Sequence, residues 1–202
     1  VGVVALQGDV REHSALLAQL GAATVQIRRP LDLERVDALV LPGGESTTMS
    51  MLLRSSGLLP GLEKLMSDGM PVLGTCAGMI LLSRTIIGGR SDQVALGAID
   101  LTVRRNAFGR QLESFETELW VTGLEDGPMH AVFIRAPLVE ATGRDVEVLA
   151  SVELGGGPGG AGALHPVVCR QGPVIAVAFH PELAGDGRLH QMLLDQITSE
   201  AD

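Results

Sequence analysis

The sequence predicts an α/β fold: a doubly wound, mostly parallel sheet flanked by helices, with additional antiparallel strands. Three observations predict it. Short β-branched runs alternate with segments of helical periodicity up to about residue 95, the pattern of right-handed crossovers. Hydrophobic residues make up 46% of the 202 positions but aromatic residues only 2%, so the core must be built from Val, Leu, Ile, Ala and Met. That composition suits strands buried on both faces. Beyond about residue 95, strand-like runs follow one another with turns between them.

The elements follow in order. "VGVVAL" (1–6) is a short β-branched strand. In "QGDVREHSALLAQLGA", Val10, His13, Leu16, Leu17 and Leu20 recur at helical spacing and Gly21 stops the helix, with His13 read as a residue on the helix face. "ATVQIR" reads as a strand, and "VDALVLPGG" as another that ends in a glycine turn. "STTMSMLLRSSG" reads as a helix with Ser46 or Thr47 as N-cap, "LPGLEKLMSDG" as a further short helix, and "MPVLGT" as a buried strand. "AIDLTVRR", "SFETELWV", "AVFIRA", "VEVLASVE", "PVVCRQG" and "PVIAVAFHP" are strand-like, and "GRLHQMLLDQIT" closes as an amphipathic helix. "GGGPGGAGA" (155–163) is too glycine-rich to pack and predicts a mobile loop between strands. With no repeat and no internal boundary, residues 1–202 are expected to form one domain.

Several function classes are excluded at this level. A formal net charge of −9 argues against a nucleic-acid partner, because no cluster larger than Arg28–Arg29 or Arg104–Arg105 could release counterions. No apolar run approaches the roughly 20 residues that span a bilayer, so no membrane partner is expected. Cys76 and Cys169 are far apart and outside any C-x-x-C pattern, which supports neither a zinc site nor a disulfide and suits a reducing compartment. The apolar start is too short for a signal peptide and lacks a basic leader. A cytoplasmic location is the expectation.

Three stretches could carry chemistry. "GTCAG" (74–78) has the form Gly-x-nucleophile-x-Gly between a strand and a helix, the arrangement of a nucleophile elbow. A sharp strand-to-helix turn crowds the backbone and asks for minimal side chains two residues to either side. The helix start near Ala77 would favour thiolate at Cys76, although a lone Cys after an apolar run is also an ordinary core residue. "FHPE" supplies a candidate base: His180 ends the run "VIAVAF", and Glu182 two positions on can lie on the same side of extended backbone. A carboxylate beside an imidazole fixes its tautomer, as a Cys–His pair requires; alone, the stretch could equally be a solvated strand end. "LPGGES" (41–46) follows a strand with two glycines that can turn N–H groups toward an oxyanion, or simply lead into a capped helix. In a doubly wound sheet all three sit at strand C-terminal ends, which line one crevice. Arg105 and Arg135 close strand-like runs and could meet a carboxylate, or be merely solvated. Among the remaining histidines, His130 and His165 lie beside turns and His190 on the last helix.

Together "PGGES", "GTCAG" and "FHPE" resemble the class I glutamine amidotransferases, flavodoxin-like domains with a Cys–His–Glu triad. "VGVVALQGDVREH", "LPGGESTTM", "GTCAGMILL", "RRNAFGRQLESFE", "VFIRAP" and "FHPEL" resemble more closely the glutaminase subunits of pyridoxal 5′-phosphate synthase. The resemblance implies Cys76 as nucleophile, His180 as general base and acid, and Glu182 as its orienting partner. It further implies L-glutamine bound against Gly44, Glu45, Ser46, Arg105, Ile134 and Arg135, and an oxyanion held near Gly44 and Ala77. No metal or cofactor is implied; the implied partner is a separate synthase subunit that receives ammonia.

Two departures stand out: the glycine-rich run looks longer than the family's usual connection, and the chain begins at Val1 without a Met, as if the first residue or two were missing or processed. Other readings remain open at this level. One is the glutaminase of imidazole glycerol phosphate synthase. Another is a non-catalytic flavodoxin-like or chaperone-like domain whose Cys76 senses oxidant, and a third is a hydrolase of peptides or esters.

Overall fold

The computed structural model describes residues 1–105, 114–154 and 162–199. The predicted alternation is present in its first part. Strand β1 (Gly2–Val4), helix α1 (Val10–Gln19), β2 (Val25–Ile27), β3 (Leu39–Leu41), α2 (Ser46–Ser55), α3 (Leu59–Ser67), β4 (Val72–Thr75) and α4 (Ala77–Leu82) follow one another. Then come β5 (Ser83–Ile87), β6 (Ile99–Arg104), β7 (Ser114–Leu119), β8 (Met129–Ile134), β9 (Leu138–Thr142), β10 (Glu147–Leu154), β11 (Ala163–Gln171) and β12 (Val174–Val177). Short α5 (Pro181–Ala184) and α6 (Arg188–Ser199) complete the described chain.

The main sheet has the order β10-β11-β12-β4-β3-β1-β2. Its β12-β4-β3-β1-β2 part is parallel throughout, and β11 and β10 extend it antiparallel. From β1 the chain winds outward to β2 and then returns across β1 to β3, so strand order reverses at β1/β3. That reversal is the switch point where loops diverge and a crevice opens. Strands β5, β6 and β9 form a three-stranded sheet, and β7 with β8 a two-stranded ribbon. The fold class is as predicted, with the antiparallel strands in the second half.

The core is aliphatic, as composition required. β1, β3, β4 and β12 are buried at every position. The aromatic contribution is small: Phe133 sits 5.3 Å from Phe179 and 4.4 Å from Phe115, ring centre to ring centre. The single tryptophan, Trp120, is outside the core and 71% exposed. Cys169 is fully buried on β11, and burial pushes its thiol up to about 12, so it is inert. No helix among the described residues is long and apolar enough to cross a membrane.

Several local expectations need correction. The cap of α2 is Glu45, not Ser46 or Thr47: its carboxylate accepts from the Thr47 and Thr48 N–H groups, and Ser46 is already inside the helix. His13 is no face residue in the solvent sense; it is fully buried, as is His190. His130 and His165 lie within β8 and β11 rather than beside turns. β5 and β9 were not foreseen. Most of the glycine-rich run, 155–161, and the 106–113 part of "RRNAFGRQLESFE" lie outside the described residues.

Candidate active site

The crevice at the C-terminal ends of the parallel strands collects side chains from six segments, four that follow β1, β3, β4 and β12 and two at the ends of β6 and β8. Cys76 follows β4 directly, with φ 48° and ψ −101°, a conformation that non-glycine residues rarely adopt. Its N–H is tied to Val177 O at 2.7 Å, so the flanking strand over-determines the bend. The glycines of the motif explain themselves here. A Cβ on Gly78 would lie 2.1 Å from Leu41 O, and one on Gly74 2.4 Å from Leu82 Cδ1. The crossing of β3, β4 and α4 is too tight for any side chain there. Strain of this kind costs about 1–3 kcal/mol and persists where surroundings enforce it. Cys76 is 6% exposed, its Sγ 3.9 Å from Ile134 O and facing a cavity.

His180 lies just past β12, its N–H donating to Val132 O at 2.9 Å. Its Nδ1 meets Glu182 Oε1 at 2.7 Å and Asp9 Oδ2 at 3.3 Å. Burial opposes the imidazolium charge, but hydrogen bonds to Asp9, Cys76 and Glu182 outweigh it and raise His180 to about 12. Glu182 has no exposed side-chain surface. Burial holds its carboxyl above the usual carboxylate range, against the pull of His180. Asp9, His180 and Glu182 place three potential metal-ligating atoms within 4.8 Å. The ring nitrogen of that set is already hydrogen-bonded to Glu182, so the cluster is described by its hydrogen bonds.

The cavity, about 290 Å³, is walled by Gly44, Glu45, Ser46, Arg105, Ile134 and Arg135, with Cys76 and His180 opening into it. Glu182 and Ala77 are both buried and do not line the cavity. Arg105 donates from Nη2 to Glu45 Oε1 at 2.9 Å and from Nη1 to Gln93 Oε1 at 3.2 Å. Partial burial works against the Glu45 charge. The N–H and hydroxyl groups of Thr48 and Thr47 more than offset it and bring the carboxyl down to about 2. Arg135 has φ 45°, a second non-glycine residue in the left-handed region, again at the cavity wall.

Sequence reasoning missed Gln7 and Asp9, which line the same cavity. Gln7 Oε1 accepts from Glu45 N at 2.8 Å, and a Cβ on Gly44 would lie 2.4 Å from that oxygen. Asp9 N donates to Gly43 O at 3.3 Å. The "GG" turn is thus laced to the segment after β1. The signal was available: "QGD" ends a predicted parallel strand just as "PGG" does.

A family model described as the SNO glutamine amidotransferase family matches residues 3–199. The chain belongs to the SNO glutamine amidotransferase family. Among curated proteins, this amidotransferase chain is 58% identical to pyridoxal 5′-phosphate synthase subunit PdxT of Mycobacteroides abscessus, over 98% of the chain and 96% of the relative. It is 57% identical to the subunit of the same name from Rhodococcus jostii, over 96% and 95%. A solved structure described as a glutamine amidotransferase superposes with a TM-score of 0.85 at 45% identity, covering 98% of each chain.

Proposed function

We propose that residues 1–202 form a single glutaminase domain that hydrolyses the side-chain amide of L-glutamine and delivers the ammonia to a pyridoxal 5′-phosphate synthase subunit. The observation that carries this reading is the convergence of a strained, cavity-facing Cys76 with the His180–Glu182 pair at one sheet edge. Family membership and the names of the M. abscessus and R. jostii relatives support the substrate and the partner.

The chemistry follows from the groups present. His180, held protonated by its three partners, pairs with the Cys76 thiolate, which attacks the amide carbon. N–H groups near Gly44 and at Ala77 receive the oxyanion; losing one such donor costs about 100- to 1,000-fold in rate. His180 protonates the departing nitrogen, leaving a γ-glutamyl thioester on Cys76. It then takes a proton from water, whose attack on the thioester carbon breaks the C–S bond, releases glutamate and restores the thiolate–imidazolium pair. Glutamine is a zwitterion, and the wall offers both signs: Glu45 for the ammonium, Arg105 and Arg135 for the carboxylate. No step needs a metal or organic cofactor.

Ammonia is mostly protonated at neutral pH and then a useless nucleophile, so a sealed route to a docked partner makes chemical sense. A cytoplasmic location accords with these reactants. Ammonia release from glutamine, measured for the chain assembled with a synthase subunit, tests the reading. His180→Ala should abolish it; full activity in that variant would leave Cys76 a thiol without a catalytic base.

A further inference from the structure

Behind the proposed triad the interior holds two more histidines that the chemistry above does not use. His13 on α1 and His190 on α6 are fully buried. Their rings meet through His13 Nδ1 and His190 Nε2 at 2.8 Å. The other His13 nitrogen, Nε2, lies 3.1 Å from Thr75 Oγ1 and 3.5 Å from Glu182 Oε1. That oxygen is the one bonded to His180 Nδ1. A continuous line, His190–His13–Glu182–His180, therefore runs from α6 to the crevice. Both inner rings are neutral. Burial, with His190 and His180 adding to it, pushes His13 well below its ordinary value, and burial brings His190 down to about 4.

A neutral imidazole donates from one nitrogen and accepts at the other, which leaves two arrangements. If His13 donates from Nδ1, then His190 Nδ1 carries a hydrogen that has no partner among the described residues. The His13 lone pair would also face a carboxylate oxygen. If instead His190 donates from Nε2, His13 presents its own Nε2–H to Thr75 Oγ1, with the Glu182 carboxylate close beside it. Only a lone pair is then left over at His190 Nδ1. Buried N–H groups without acceptors are rarer and costlier than unsatisfied acceptors, so the second arrangement wins.

We propose that His13 is a positioning residue for the triad: fixed by His190 as its Nε2–H tautomer, it donates to Thr75 and turns the positive edge of its ring toward Glu182, which helps keep that carboxylate ionised and aimed at His180. This rests on the glutaminase reading. Glu182 Oε2 has no partner among the described residues, which leaves His180 at Oε1 as the side-chain donor to this carboxylate and makes the field of a nearby N–H count. The other groups facing this line are few. Asp9, before α1, meets His180, and Asp186, before α6, acts on His190. Cys76 reaches His180 from β4. β8 meets α5 through the Val132 carbonyl, while its His130 is bonded to Glu116 and Glu118 at the surface. His13 is thus the N–H-bearing side chain that approaches Glu182 from outside its own segment.

Two measurements test this. Long-range ¹⁵N correlations on the wild-type chain should find the ring proton of both His13 and His190 at Nε2; a proton at His13 Nδ1 overturns the proposal. In the assembled complex, His13→Leu should lower kcat about 10- to 100-fold, the scale seen when partners that orient metal-bound ligands are removed. KM should be unchanged and the acid limb of the pH–rate profile should move upward, because an unsupported Glu182 protonates sooner. His13→Gln, which keeps a donor, should recover most of both. Equal losses in the two variants, or a fall in Tm with the limb in place, overturn it. If His13→Leu does not fold, His190→Leu removes the lock and should shift the limb the same way; an unshifted limb counts against the proposal. A wild-type complex that releases no ammonia rejects the glutaminase reading alone, and the tautomer measurement still decides the role of His13.

Discussion

At the scale of single residues, the bend at Cys76 depends on what is missing beside it. Gly78→Ala would drive a methyl to 2.1 Å from a backbone oxygen of β3, which cannot rotate away. Overpacking at such a contact should cost about 3 kcal/mol, read as a lower urea midpoint. Glu182→Gln keeps the shape but removes the charge facing His180, and should lower kcat of ammonia release by about 10³- to 10⁴-fold with little change in KM. Cys76, His180 and Glu182 stood out as candidates from strand-terminal motifs, whereas the pocket roles of Gly44, Glu45, Ser46, Arg105, Ile134 and Arg135 came from the family resemblance; the structure gathers those six around one cavity. Gln7, Asp9 and His13 were not read as site residues. Gln7 and Asp9 reach the crevice because the sheet order brings β1 beside β3, while His13 lies buried behind it on α1, where the helix's apolar spacing gives it no special mark.

At the scale of elements, Glu45 joins two duties: it caps α2 and pairs with Arg105 at the cavity wall. Its carboxyl is depressed to about 2 from an ordinary value of 4.5. A depressed acid stabilises the fold above its unfolded pKa, and that contribution is lost as pH falls through the folded one. Thermal unfolding should therefore show a loss specific to the wild type, absent from Glu45→Gln, between about pH 4.5 and 2. At neutral pH, Glu45→Ala should cost about 1 kcal/mol as a lost cap and raise KM for glutamine. The element order up to β4 followed from periodicity, whereas α4 was harder. It lasts six residues before the chain straightens into β5, and "AGMILLSRTII" is apolar throughout, so periodicity cannot mark where a buried helix becomes a strand.

At the scale of the whole molecule, the "GG" turn is laced to the segment after β1 and the nearby crevice is open to solvent, so a partner docking over it would act on both. Glutamine hydrolysis should be nearly silent for the chain alone and strongly stimulated by a synthase subunit; equal rates with and without it would contradict ammonia transfer by contact. The position of Trp120 has a practical corollary. With no tyrosine and its single indole in water, the native chain should emit at long wavelength with an intensity that denaturant hardly alters. Folding experiments on this protein are best followed by far-ultraviolet dichroism. The same indole is a ready-made probe of whatever covers that flank.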